Sequence, residues 1–297
     1  MKNPINKLYF PLRLCFVRNS WTSLTCAAKS GEKYSVKNKY RFSAQKNLAR
    51  QCYSVSKSVV ALACGFLFDM GKLDPEDRVA DYLSEYFPDN VDKKWYDVTL
   101  KDLFRHRTGA RDNIDFDNEQ APSGEVLTAL FASPITQETG KKWNYSDGNY
   151  YILARVFEKI AGETAETYLH EHLFRPLGFY YHTWSKDENG HILGGTGLFL
   201  RTEDMAKLGV LIVEKGTYDG IRYLSEKWID ICTEPFPDER KYGFGIRTFS
   251  DGVFSITGMN GQGIFIDRNK KLVYAWHAQR GCPALSICVF LHAMKLL

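Results

Sequence analysis

QCYSVSKSVVALACGFLF, residues 51–68, is the stretch on which the reading of this chain turns. A serine and a lysine three apart, Ser54 and Lys57, stand at the head of a run that is almost wholly apolar from Ser58 to Phe68. A helix that is hydrophobic on every face must be buried in the centre of a domain. Residues three apart on such a helix share a face, with Cβ atoms about 5–6 Å apart, so the Ser54 hydroxyl and the Lys57 amine can meet. Two further Ser-x-x-Lys pairs occur, Ser30 with Lys33 and Ser43 with Lys46. Both lie in polar, charged stretches where nothing would fix a rotamer or exclude water.

At the amino end of the helix Ser54 also meets unpaired backbone N–H groups and the positive end of the dipole, which favour a developing negative charge. A desolvated lysine is a poorer cation, so Lys57 could accept the serine proton. The competing reading has Ser54 capping the helix and Lys57 reaching out to solvent, and these residues alone leave both open.

Around this stretch the composition is that of a folded protein. With 297 residues and 44% hydrophobic content, the chain can bury a sizeable core as one large unit or two lobes. The net charge of +4 is spread along the chain, and the doubled lysines at 93–94, 141–142 and 270–271 read as solvated surface. No nucleic-acid partner is expected. Seven cysteines, an odd number without C-x-x-C spacing, suggest reduced thiols and a cytoplasmic protein. Near the start, KLYFPLRLCFVRN is interrupted by Pro11, Arg13 and Arg18 and reads as a strand more than as an export signal. The longest uncharged runs, 58–68 and 282–294, fall short of the ~20 residues that cross a bilayer. No membrane span is expected, and on oligomeric state the sequence is silent.

Alternation and turn residues predict short strands within 7–40, with turns at 18–20 and 30–32. Helical spacing follows in 54–70, 99–106, 149–161, 164–173, 202–214 and 225–233. Strand character returns in YGFGIRTF, GVFSITG, GQGIFIDRN and KLVYAWHA, and 284–297 suits a closing helix. The fold class expected is α+β: one antiparallel sheet formed by both termini and flanked by helices, with an inserted all-helical lobe. The chain reads as one unit, 1–297, with a sheet lobe of 1–52 plus 236–297 and a mainly helical lobe of 53–235.

Five segments in order carry a resemblance. They are YSVSKSVVALACGFLFDMGKLDPEDRVADYL, VTLKDLFRHRTGA, WNYSDGNYYILARVFEKIAGET, GGTGLFLRTEDMAKLGVLIVEKG and YGFGIRTFSDGVFSITGMNGQGIFIDRNKKLVYAW. Over nearly its whole length the chain resembles the serine β-lactamase and penicillin-binding-protein superfamily, whose signature begins with Ser-x-x-Lys, and in particular the branch of class C β-lactamases, esterases and D-aminopeptidases. The resemblance implies Ser54 as nucleophile, with Lys57 and Tyr145 sharing its proton and no cofactor or metal. It implies His106 and Gly109 in structural roles near the site. It implies an oxyanion hole from the N–H groups of Ser54 and Met259, with Met259 following Gly258 on an edge strand where a side chain could block the substrate. Asp147, Ile256, Thr257 and Gly258 complete the substrate-binding set.

Two positions depart from the family. Asp147 stands where the family has asparagine, so a donor to a substrate amide is lost and a carboxylate can pair with Lys57, which makes Tyr145 the likelier base. Ile256 stands where penicillin-binding members have the lysine of Lys-Thr-Gly, and it cannot pair with an anion. The expectation is therefore a serine hydrolase forming an acyl-enzyme on a small, neutral ester or amide. The alternative is a ligand-binding or sensor module on the same scaffold without turnover. The chain starts close to its first strand, without a leading helix, which suggests a shortened intracellular form.

Other patterns carry less. His170 and His172 are two apart and point in different directions on a helix, so no metal is expected there. The glycines of GMNGQG lie between strands and do not lead into a helix, which argues against a dinucleotide. Tyr150 and Tyr151 read as packing residues, and Cys52 lacks a histidine to make it reactive.

Overall fold

Residues 21–278, except 47, 112, 113, 115 and 117–123, are described by the computed structural model. The strand character expected before residue 21 and the closing helix at 284–297 lie outside the described residues. Among the described residues there are eleven strands: β1 Trp21–Ser30, β2 Lys33–Tyr40, β3 Arg50–Gln51, β4 Thr183–Trp184, β5 Leu198–Leu200, β6 Thr217–Tyr218, β7 Ile221–Arg222, β8 Arg247–Ser250, β9 Val253–Gly258, β10 Gln262–Asp267 and β11 Leu272–Ala278. Six of them form one sheet in the order β2-β1-β11-β10-β9-β8, antiparallel throughout. Trp21 pairs with Ala278 and Ala28 with Leu272, so the sheet joins the two ends of the described chain as expected. The outer strand β2 carries Lys33, Lys37 and Lys39, charges that discourage pairing with another chain.

Both faces of the sheet are buried. One packs Val273, Ala275, Ile264 and Ile266 into the main core, and the other gathers Trp21, Leu24, Phe265, Tyr274 and Trp276. Four longer helices serve the main core: α1 Val55–Asp69, α2 Asp147–Ala161, α3 Thr202–Val213 and α4 Glu226–Thr233. Helix α3 lies on β1, β10 and β11. It approaches closely because Gly209 has no side chain; a Cβ there would stand 2.5 Å from Val273. Helix α1 is buried on nearly every face, as its composition dictates, and packs on α2, α4 and β9. Among the described residues no helix is long and apolar enough to cross a membrane.

Local chemistry sets the helix ends. The hydroxyl of Ser146 accepts from the Asn149 N–H, so α2 begins at Asp147, two residues earlier than periodicity suggests. Ser225 caps α4 in the same way, accepting from Trp228 N–H at 3.1 Å. YGFGIRTF is strand only from Arg247. Before it, Gly245 has φ +71 and lies so close to α1 that a Cβ would stand 2.8 Å from Ser58, which keeps the backbone out of the sheet.

Candidate active site

The head of α1 brings Ser54 and Lys57 into contact. Ser54 occupies the N-cap position, yet its side chain accepts no capping hydrogen bond. Instead the Tyr145 hydroxyl lies 2.5 Å from Ser54 Oγ, and Lys57 Nζ donates to the same oxygen at 3.2 Å. Lys57 does not reach solvent; it is fully buried. Its ammonium makes three hydrogen bonds, to Ser54 Oγ, to the Asp147 carboxylate, and to the Gly195 carbonyl at 2.7 Å. An ammonium has three N–H donors, so this set saturates it.

Each partner is delivered by a different part of the fold. Asp147 opens α2, with its carboxylate turned toward Lys57. Gly195 belongs to the glycine-rich turn before β5, and a Cβ there would stand 2.7 Å from the Asp147 carbonyl oxygen. That turn therefore requires glycine to close on the start of α2. Gly195 is not among the residues that the sequence points to, although the density of glycine in GGTG is a signal of close backbone approach.

Tyr145 is held by a scaffold around His106. The His106 carbonyl accepts from Asn144 N–H at 2.8 Å, and its Nδ1 accepts from Ser146 N–H at 3.2 Å. The Tyr145 and His106 rings are 4.5 Å apart. Complete burial, followed by the charge of Lys57, pushes the His106 imidazole well below its usual range, so it is neutral with its proton on Nε2. The Lys57 ammonium also sits 4.5 Å from the Tyr145 ring centroid and 5.9 Å from that of Tyr150. Tyr150 is a packing residue, buried and donating to the Phe104 carbonyl at 2.9 Å.

The third side of the site is β9 and the turn after it. β9 is second from the edge of the sheet, not the edge strand expected. β8 pairs with it only as far as Ser255, so Ile256–Gly258 is locally uncovered on that side. A Cβ on Gly258 would stand 2.2 Å from the Cys52 carbonyl oxygen. Glycine is thus required for contact with the chain leading into Ser54, and the same Cβ would also stand 3.3 Å from the Ser54 nitrogen. The same contact brings the residue before Met259 against the turn that holds Ser54. Neither the Ser54 N–H nor the Met259 N–H enters a backbone hydrogen bond among the described residues. Thr257 and Met259 are exposed, whereas Ile256 is only 2% exposed and belongs to the main core. Just before the serine, Tyr53 adopts φ +50, a left-handed backbone that costs a side chain roughly 1 kcal/mol.

The other candidates have different partners. His170 bonds to His182 at 2.9 Å while His172 stacks on Tyr168 at 4.2 Å. Among the described residues no group of three or more His, Cys, Asp or Glu is placed to hold a metal. Burial pushes the Cys52 thiol well above its ordinary range. GMNGQG forms the tight connection from β9 to β10, with Asn260 at φ +61.

Comparison with known proteins bears on the family and the fold. A family model described as Beta-lactamase matches residues 43–285. The provisionally named penicillin-binding protein PbpX of Bacillus subtilis (strain 168) is 30% identical over 138 residues, 45% of this chain and 33% of PbpX. A penicillin-binding-protein homologue of known structure from Caulobacter crescentus superposes with a TM-score of 0.79 at 16% identity, covering 99% of this chain and 98% of that one. A family VIII carboxylesterase structure gives a TM-score of 0.78 at 16% identity, with the same coverage. At such identity the structural likeness concerns the fold. The chain spans a third of the length of PbpX and about half the length of other curated relatives that it matches.

Proposed function

The chain belongs to the Beta-lactamase family, and on that scaffold we propose that it is a serine hydrolase acting on a small ester or amide through an acyl-enzyme at Ser54. One observation carries the reading: Ser54 Oγ does not cap its helix but lies between Tyr145 OH at 2.5 Å and Lys57 Nζ at 3.2 Å. In the first step Ser54 Oγ bonds to the carbonyl carbon and its proton passes to the Tyr145 oxygen. The Lys57 ammonium, held by Asp147 and Gly195, favours the phenolate that accepts this proton. The N–H groups of Ser54 and Met259 receive the charge that develops on the carbonyl oxygen. When the bond to the leaving group breaks, Tyr145 returns the proton to it. Water then attacks the acyl carbon and gives a proton to Tyr145, which passes it to Ser54 Oγ as the bond from Oγ to the acyl carbon breaks, so that the acid leaves with the Ser54 hydroxyl and the Tyr145 phenolate restored.

A fluorophosphonate probe tests the nucleophile: labelling of the wild type and none of Ser54→Ala is the expected pair. Equal labelling of both would sink the proposal, and no label on a folded wild type would favour a ligand-binding module in its place. p-Nitrophenyl esters assayed beside a chromogenic cephalosporin and D-alanine amides sort the substrate, with turnover of esters lost by more than ~10³-fold in Ser54→Ala. Cys26, Cys52, Cys64 and Cys232 are free and buried, which supports a reducing, cytoplasmic setting.

A further inference from the structure

A cavity of about 370 Å³ opens next to Tyr53, lined also by Arg50, Gln51, Phe199, Asn260 and Gln262. Tyr53 immediately precedes Ser54, and Asn260 immediately follows Met259. The two segments that carry the proposed oxyanion donors therefore also wall this cavity. Both residues sit in the left-handed region, at φ +50 and +61, so the backbone that shapes the wall is held out of its relaxed conformation on each side.

The chemistry of the lining is one-sided. Arg50 is partly buried on β3, which disfavours its charge, and no ion pair among the described residues compensates it. Asp204, the carboxylate whose field reaches the neighbouring Cys52, is already held by Arg201 at 2.7 Å and by Lys207 at 3.4 Å. Gln262 accepts from Ala278 N–H through its carbonyl oxygen at 2.6 Å, which leaves its amide N–H₂ as a donor. A guanidinium, two further side-chain amides and a phenol thus share the wall with apolar Leu48, Ala49, Phe199 and Ala278, and no acidic residue lines the space. A partly desolvated guanidinium without a partner is matched by a carboxylate, which its fork can bind with two parallel hydrogen bonds.

Orientation follows from the acyl-enzyme reading, on which this inference rests. The leaving group must face Tyr145, because Tyr145 returns its proton, so the acyl chain runs the other way, past the oxyanion donors. Arg50 is four residues upstream of Ser54, at most ~14 Å along an extended backbone, and its side chain can reach back toward the serine. We infer that the Arg50 cavity seats a carboxylate at the far end of the acyl chain, making half-esters or half-amides of dicarboxylic acids of about four to six carbons the preferred substrates. This supplies a cation that Ile256 cannot, at a different place around the serine.

The test compares the mono-p-nitrophenyl ester of adipic acid with its methyl diester, equal in length and neutral at the far end. Wild type is expected to favour the free acid by tenfold or more in kcat/KM. Arg50→Gln should bring that ratio near one by raising KM for the acid, leaving the methyl diester unchanged. In parallel, calorimetry on Ser54→Ala should detect adipate, bound at least tenfold more weakly once Arg50→Gln is added. A preference untouched by Arg50→Gln, or adipate bound equally by Ser54→Ala with and without it, overturns the assignment. Adipate binding through Arg50 by a protein that hydrolyses neither ester and takes no fluorophosphonate would overturn the acyl-enzyme reading and leave the cavity's ligand standing.

Discussion

Lys57 is the residue on which the site depends, because a buried cation is tolerated only when every donor has a partner. Asp147 supplies the countercharge, in the place where the family carries asparagine. Asp147→Asn leaves Lys57 with a neutral partner and should lower kcat on a p-nitrophenyl ester by about 10- to 100-fold. Its pH–rate profile should also depart from the parent curve; superimposable profiles would show that the carboxylate does not set the proton balance of the pair. A second buried group governs stability. His277 is enclosed, with Nε2 on the Leu200 carbonyl at 3.0 Å, and burial pushes it down to about 4 from the ordinary 6.5. The unfolded chain therefore binds a proton that the folded one refuses, and stability falls as pH drops from about 6.5 toward 4. The loss is on the order of 3 kcal/mol from this group. Urea midpoints at pH 7 and pH 4.5 measure it, and His277→Asn, which keeps a donor but cannot titrate, should flatten the difference.

At the scale of elements, the site is formed where the head of α1, the start of α2, the glycine turn before β5 and the end of β9 converge. Gly258 is the point of contact between β9 and the chain entering α1. Gly258→Ala would put a methyl group on the Cys52 carbonyl and move Met259 away from Ser54. The expected result is a loss of about 10²–10³-fold in kcat, the usual cost of one oxyanion donor, with a folded protein by circular dichroism. Full activity in that variant would remove Met259 from the mechanism. How much of this was legible in the chain depends on the range of the interaction. Helix α1 and the serine–lysine pair could be read from 51–68 because burial and i, i+3 spacing are local properties. The caps at Ser146 and Ser225 were visible as residue types, although the exact start of α2 needed the hydrogen bond of Ser146. The Gly195 carbonyl, the turning of Ile256 into the core and the closeness of Gly258 to Cys52 were not legible, since each depends on a neighbour distant in sequence. The two- and three-residue strands β3, β4 and β5 carry too few residues for any alternation to show.

Across the whole molecule, the central sheet pairs residues more than two hundred positions apart, and such long-range pairing makes folding slow. The active site shares this property. The partners of Lys57 come from positions 54, 147 and 195, so the ammonium is neither enclosed nor satisfied until the start of α2 and the glycine turn have both closed on α1. Fluorophosphonate labelling of Ser54, followed during refolding from denaturant, is expected to rise with the slowest phase of tertiary structure formation. Labelling that appears in the earliest phase would disconnect the two. On the proposed mechanism the lysine thereby serves as an assembly checkpoint: a half-folded molecule carries only an ordinary alcohol, and nucleophilic power arrives with the final act of maturation.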